Sequence, residues 1–185
     1  MPQERTRKIV VAGAMGAISV VLGLTHWGFL PWFSGASLTI MHVPVIIAAI
    51  LEGPWVGLSV GLIFGLFSML QAALAPTGPA DVWFTNPLLS VLPRLFIGPA
   101  AWGIWWLLRR WQIGSILLAG VGGSLTNTVL VLGMIGLLGY LPWAALGPIA
   151  AVNGIPEAVA SAIITLAVIV AWRQIDIGRG NKSEL

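Results

Sequence analysis

From Ile9 to Ala171 the chain is apolar, with only short interruptions. No other feature limits its fold as strongly. A domain that folds in water carries a charged skin, commonly about a quarter of its residues. Here 8% of residues are charged and 58% are hydrophobic, and mean hydropathy is +0.96. One apolar helix would not account for this, because the character persists along nearly the whole length. Most of the surface must face hydrocarbon, and the runs have the length of crossing helices, about 20 residues. The expected fold is an all-α integral membrane protein.

Six helices are expected in one membrane domain over residues 1–172, at 8–24, 42–52, 54–75, 87–110, 113–139 and 148–172. The second is short and ends at Glu52-Gly53-Pro54. The third stops at Pro76-Thr77-Gly78-Pro79. A polar tail follows at 173–185. Arg5, Arg7 and Lys8 before an apolar run resemble the start of a signal peptide. That run ends in Leu24-Thr25-His26-Trp27, which is not a small-residue cleavage site, so it is read as a retained helix.

Lys and Arg in short loops set orientation. Arg5, Arg7 and Lys8 flank the first helix, Arg109 and Arg110 separate the fourth and fifth, and Arg173, Arg179 and Lys182 follow the sixth. With six crossings all three groups fall on one side, which puts both termini in the cytoplasm of a cell membrane. Trp27, Trp32, Trp83 and Trp143 then fall at the outer boundary. Trp55, Trp105, Trp106, Trp111 and Trp172 fall at the inner one, as interfacial indoles should.

Several function classes lose support. Net charge is +3, but the basic residues sit in small groups at helix ends and form no stripe for nucleic acid. There is no cysteine, so disulfides, zinc thiolates and iron–sulfur clusters are excluded. His26 and His42 share a loop without carboxylates, and no metal is expected. GxxxxGK[ST], GxSxG and HExxH are absent, so no cofactor and no catalytic residue is assigned. An intramembrane enzyme using Arg94 and Glu157 would lack a visible nucleophile–base arrangement. A structural scaffold is a further alternative.

Small residues mark packing faces. Gly53, Gly57, Gly61 and Gly65 recur every four residues on the third helix and are expected to form one groove for a neighbour. The first helix has two rows, Ala12 with Gly16 and Gly13 with Ala17. They would pack inside the bundle or dock a second protein. Pro93 and Pro99 should kink the fourth helix and free carbonyls.

Polar groups in the same half of the expected bundle suggest a cavity open to the outside. Arg94 lies roughly 10 Å into the fourth helix, where an ionised group costs about 2.5–3.5 kcal/mol near mid-bilayer. Glu157 lies at similar depth in the sixth helix. The two would either pair with each other or line a ligand cavity. His42, Gln71, Trp83, Asn86, Asn127 and Asn153 join them as candidate substrate-binding residues. The loop from His26 to Thr39 is long enough to cover the site, with Trp27, Trp32, Phe33 and Trp83 as shields from water.

Ile40-Met41-His42-Val43-Pro44, Leu51-Glu52-Gly53-Pro54-Trp55-Val56-Gly57 and Asn86-Pro87-Leu88-Leu89-Ser90-Val91-Leu92-Pro93-Arg94 resemble segments of the substrate-binding S components of energy-coupling factor (ECF) vitamin transporters. So do Thr126-Asn127-Thr128 and Asn153-Gly154-Ile155-Pro156-Glu157. The resemblance spans about 8–172 and is closest to the pantothenate-type branch. It implies capture of a water-soluble vitamin on the outer side. Delivery inward would use a transmembrane T component and two cytoplasmic ATPases. It also implies docking through small residues of the first helix, here Ala12, Gly13, Gly16 and Ala17, which depart from the family's usual AxxxA. An arginine with several amides suits pantothenate, which has a carboxylate, an amide and hydroxyls; riboflavin and folate are alternatives.

Overall fold

The computed structural model describes residues 2–25, 29–31, 37–76 and 78–173. Helices α1 (Pro2–Leu24), α3 (Pro54–Leu74), α5 (Leu92–Leu108), α6 (Gln112–Leu137) and α8 (Ile155–Arg173) form a bundle. An antiparallel hairpin of β1 (Phe29–Pro31) and β2 (Ser37–Thr39) leads from α1 to the short helix α2 (Val43–Glu52). A 3₁₀ turn at Pro79–Thr85 and helix α4 (Pro87–Ser90) precede α5, and α7 (Trp143–Ile149) precedes α8. The all-helical expectation therefore needs one amendment, the hairpin inside the first loop.

Among the described residues five stretches are long and apolar enough to cross a membrane: Gln3–Leu24, Pro54–Leu74, Pro87–Leu108, Gln112–Leu137 and Trp143–Arg173. The second expected crossing falls short. Helix α2 has 10 residues, about 15 Å at helical rise, which is half of a hydrocarbon core of about 30 Å. The hairpin and residues 40–42 lead the chain to its start. Non-helical backbone is tolerated at such depth only inside protein. Accordingly, every residue from Val43 to Ile50 is buried, and α2 packs against α1, α3, α5, α6 and α8. It is the centre of the core, with Val60, Phe64, Ile97, Ala101, Ile116, Ala119 and Ile169 around it.

The glycines of α3 receive α5. A Cβ on Gly57 would lie 3.0 Å from Gly98 Cα, one on Gly61 would strike the Arg94 carbonyl, and one on Gly65 would lie 2.8 Å from Val91 Cα. The two backbones therefore run antiparallel in contact from Val91 to Gly98. Gly53 is not part of this groove. It turns the α2–α3 corner at φ 100° with open space around it, a conformation that a side chain would oppose.

The expected helix over 87–110 breaks at Val91. Pro93 has no N–H to give the Leu89 carbonyl, and its ring crowds that carbonyl. The expected helix over 148–172 starts earlier, at Trp143, and contains a π segment at Ala150–Gly154. The first helix likewise starts earlier than expected, at Pro2.

One end of the bundle gathers the start of α1, the α2–α3 corner and the ends of α5 and α8. Arg7 Nε lies 2.9 Å from Glu52 Oε1. Arg173 donates to the Ile50 carbonyl at 3.1 Å and lies 5.4 Å from the Trp105 ring. Arg109 lies 5.5 Å from the Trp106 ring, and Trp55, Trp111 and Trp172 are exposed. This is termed the basic end, and the opposite one the hairpin end. His26, Trp27, Trp32, Phe33, Arg179 and Lys182, and the tail beyond Arg173, lie outside the described residues.

Candidate functional site

Helical rise gives the height of each polar side chain. Measured from Glu52, Trp105, Gln112 and Arg173, the residues His42, Arg94, Asn127 and Glu157 stand about 15, 16, 22 and 24 Å above the basic end. All four are buried. They lie between the middle of the bundle and its hairpin end.

The helices that carry them pack around α2. Helices α2 and α6 touch at Ile46 and Gly123; one turn nearer the hairpin end these helices carry His42 and Asn127. Helices α6 and α8 touch where Ser161 Oγ donates to the Gly120 carbonyl at 3.2 Å. The π segment touches α6 again at Gly154 and Thr128. Asn127, Asn153 and Glu157 lie around those two contacts. Helix α5 meets α6 at Ala101 and Gly123.

Several of these groups are buried without hydrogen-bond partners among the described residues. They are both ring nitrogens of His42, Arg94 Nε, Asn127 Oδ1 and Asn153 Oδ1, with Ser124 Oγ and Thr165 Oγ1 on the same helices. Each unsatisfied buried group costs about 1–3 kcal/mol. Buried polar groups are normally paired with protein, ordered water or a ligand. Asn153 lies in the π segment, a distortion frequent at functional sites. Pro156 adds to it, since it cannot bond the Val152 carbonyl.

Arg94 has a built cradle. One of its terminal nitrogens donates to the Leu89 carbonyl at 2.5 Å, the acceptor that Pro93 leaves free. Its guanidinium lies 5.4 Å from the Phe64 ring and 5.1 Å from the Phe84 ring. Such contacts contribute about 0.5–2 kcal/mol each, more when desolvated. Together they offset much of the roughly 3 kcal/mol insertion cost without any carboxylate. Of the two sequence alternatives, the Arg94–Glu157 pair does not form: among the described residues the ion pairs are Arg7–Glu52 and Glu4–Lys8. Glu157 Oε1 instead accepts the backbone N–H of Thr39 at 2.6 Å.

Three expected site residues make contacts within the fold. Gln71 donates to the Gly23 carbonyl at 3.4 Å and ties α3 to α1. Asn86 caps α4 by accepting the Leu88 N–H at 3.0 Å. Trp83 stacks on Tyr140, with centroids 5.3 Å apart, beside a second apolar cluster of Leu89, Ile135 and Leu146. Sequence reading missed Phe64, Phe84 and Thr39. Their contacts join positions far apart in the chain, and aromatic residues carry no signal of what they face.

The two rows of α1 part company. Ala12 packs on the core, and a Cβ on Gly16 would lie 2.7 Å from Ile63 Cδ1. Gly13 and Ala17 are exposed, with open space beside Gly13. A groove of about 450 Å³ opens between α5 and α6, lined by Phe96, Pro99, Ala100, Thr126, Val129 and Leu130. None of the candidate site residues lines it. Among the described residues no group of His, Asp and Glu could hold a metal.

The family described as ECF transporter, substrate-specific component, matches residues 7–169. The chain belongs to that family. This ECF substrate-specific component is therefore a transport protein and not an enzyme, and it is a multi-pass membrane protein. It is similar to "Pantothenic acid transporter PanT" of Lactococcus lactis subsp. cremoris, at 29% identity over 191 aligned residues, 92% of this chain and 96% of the relative. It is also similar to "Pantothenate transporter PanT" of Leuconostoc mesenteroides subsp. mesenteroides, at 30% identity over 138 residues, 70% of this chain and 68% of the relative. The family match includes all of the candidate site residues.

Proposed function

We propose that this substrate-specific component binds pantothenate at the hairpin end and delivers it inward with a T component and two ATPases. The carrying observation is Arg94: a buried guanidinium, cradled by Phe64 and Phe84, whose charge no carboxylate among the described residues cancels. A planar donor fork suits a carboxylate. Asn127, Asn153 and His42 supply donors and acceptors for an amide and hydroxyls. The names of the two relatives favour pantothenate among the vitamins.

In this reading the chain makes six passes of a cell membrane, with α2 and the hairpin together making the second. The basic end and both termini are cytoplasmic, by the bias of Lys and Arg toward that side. The T component docks on the exposed row of α1, Gly13 and Ala17, while Ala12 and Gly16 pack within the bundle beneath it.

Purification followed by mass spectrometry of the retained solute tests the reading, with calorimetry on the purified protein. Pantothenate near one per chain is the expected result. Arg94→Ala should lose about a hundredfold or more in affinity, the scale for removing one partner of a buried charge pair. Retention of riboflavin or folate would replace the solute and keep the class. Empty protein that ignores a vitamin panel would defeat the proposal.

A further inference from the structure

Glu157 has a second unusual property. It is 7% exposed and has no basic partner among the described residues, yet it reaches across 118 residues of chain to one backbone amide, that of Thr39. Thr39 closes strand β2, where it is paired in register with Phe29, and β2 packs against α8. The 2.6 Å separation is slightly shorter than the usual range of about 2.7–3.2 Å for an amide donor. The start of α8 that carries Glu157 also follows the π segment bearing Asn153. One carboxylate therefore joins the hairpin to the wall of the candidate site.

We propose that Glu157 is a positioning residue that tethers strand β2 to α8 through the Thr39 amide, and thereby sets how fast a bound solute escapes at the hairpin end. The inference rests on the solute-binding reading above. It also gives the Glu157 side chain a role other than contact with an anionic solute: it is committed to a backbone N–H of the hairpin.

The chain has no cysteine, so introduced labels are unambiguous. Spin labels at Leu38→Cys and Ile155→Cys report the hairpin-to-α8 distance without any solute. One narrow distribution is expected, broadened by Glu157→Ala and preserved by Glu157→Gln, which keeps an acceptor oxygen. In the same full-length protein, release of radiolabelled pantothenate should quicken about tenfold in Glu157→Ala and in Thr39→Pro, the loss of one hydrogen bond to a charged group. The double variant should be no faster than either alone. Release from Thr39→Pro at the parent rate, or multiplying effects in the double variant, would overturn the tether. If the parent protein holds no pantothenate, the solute assignment fails alone. The label distances then decide, and an unchanged distribution in Glu157→Ala removes the tether.

Discussion

At the scale of single residues, Pro93 and Arg94 act as a pair. The proline leaves the Leu89 carbonyl without its helical donor, and the next side chain supplies one at 2.5 Å. The same break lets the guanidinium lie against Phe64 and Phe84. Pro93→Ala restores the backbone donor, which then competes with Arg94 for Leu89. Pantothenate affinity, measured by calorimetry, should fall about threefold to tenfold, since one hydrogen bond of a charged group is redirected; an unchanged affinity would separate the kink from the site. Arg94 was legible in the sequence because an ionised side chain in an apolar run demands a reason. Its aromatic cradle was not legible, because Phe64 and Phe84 meet it only after the bundle forms. The alternatives for Glu157 considered only Arg94 or a ligand; its actual partner is a backbone amide, which no residue pattern reports.

At the scale of elements, the four-residue spacing on α3 announced close packing, and Gly57, Gly61 and Gly65 provide it against α5. Spacing alone could not separate Gly53, whose role is conformational. The break at Val91 follows from Pro93, a residue visible in the sequence; Pro156 is equally visible beside the π segment at Ala150–Gly154, but a proline does not tell a π segment from an ordinary kink. A contrast between two glycines tests the packing account. Gly61→Ala drives a methyl group into the Arg94 backbone and should destabilise by about 1–3 kcal/mol, as overpacking does. Gly13→Ala meets nothing and should stabilise by about 0.5–1 kcal/mol through helix propensity. Thermal unfolding in detergent reads both, and equal shifts would contradict the contact map.

At the scale of the whole molecule, the apolar runs made a helical fold with several membrane-length helices legible, because hydrocarbon admits few backbone solutions. The half-length of α2 was also visible, but not its place at the centre, which depends on five neighbours converging on it. The exposed row of α1 belongs to this scale, since it matters only in an assembly. Ala17→Leu should leave pantothenate binding intact and stop uptake in vesicles reconstituted with the T component and ATPases, because small residues permit close helix approach in lipid. Uptake at the parent rate would move the docking surface elsewhere.

Helix α2 also dictates what the isolated chain cannot do. Below His42 the centre of the bundle is filled from Val43 to Ile50 by buried side chains. On the proposed reading, a solute held at the hairpin end therefore has a packed apolar floor beneath it, and cargo can leave on the far side only if that floor is carried or parted.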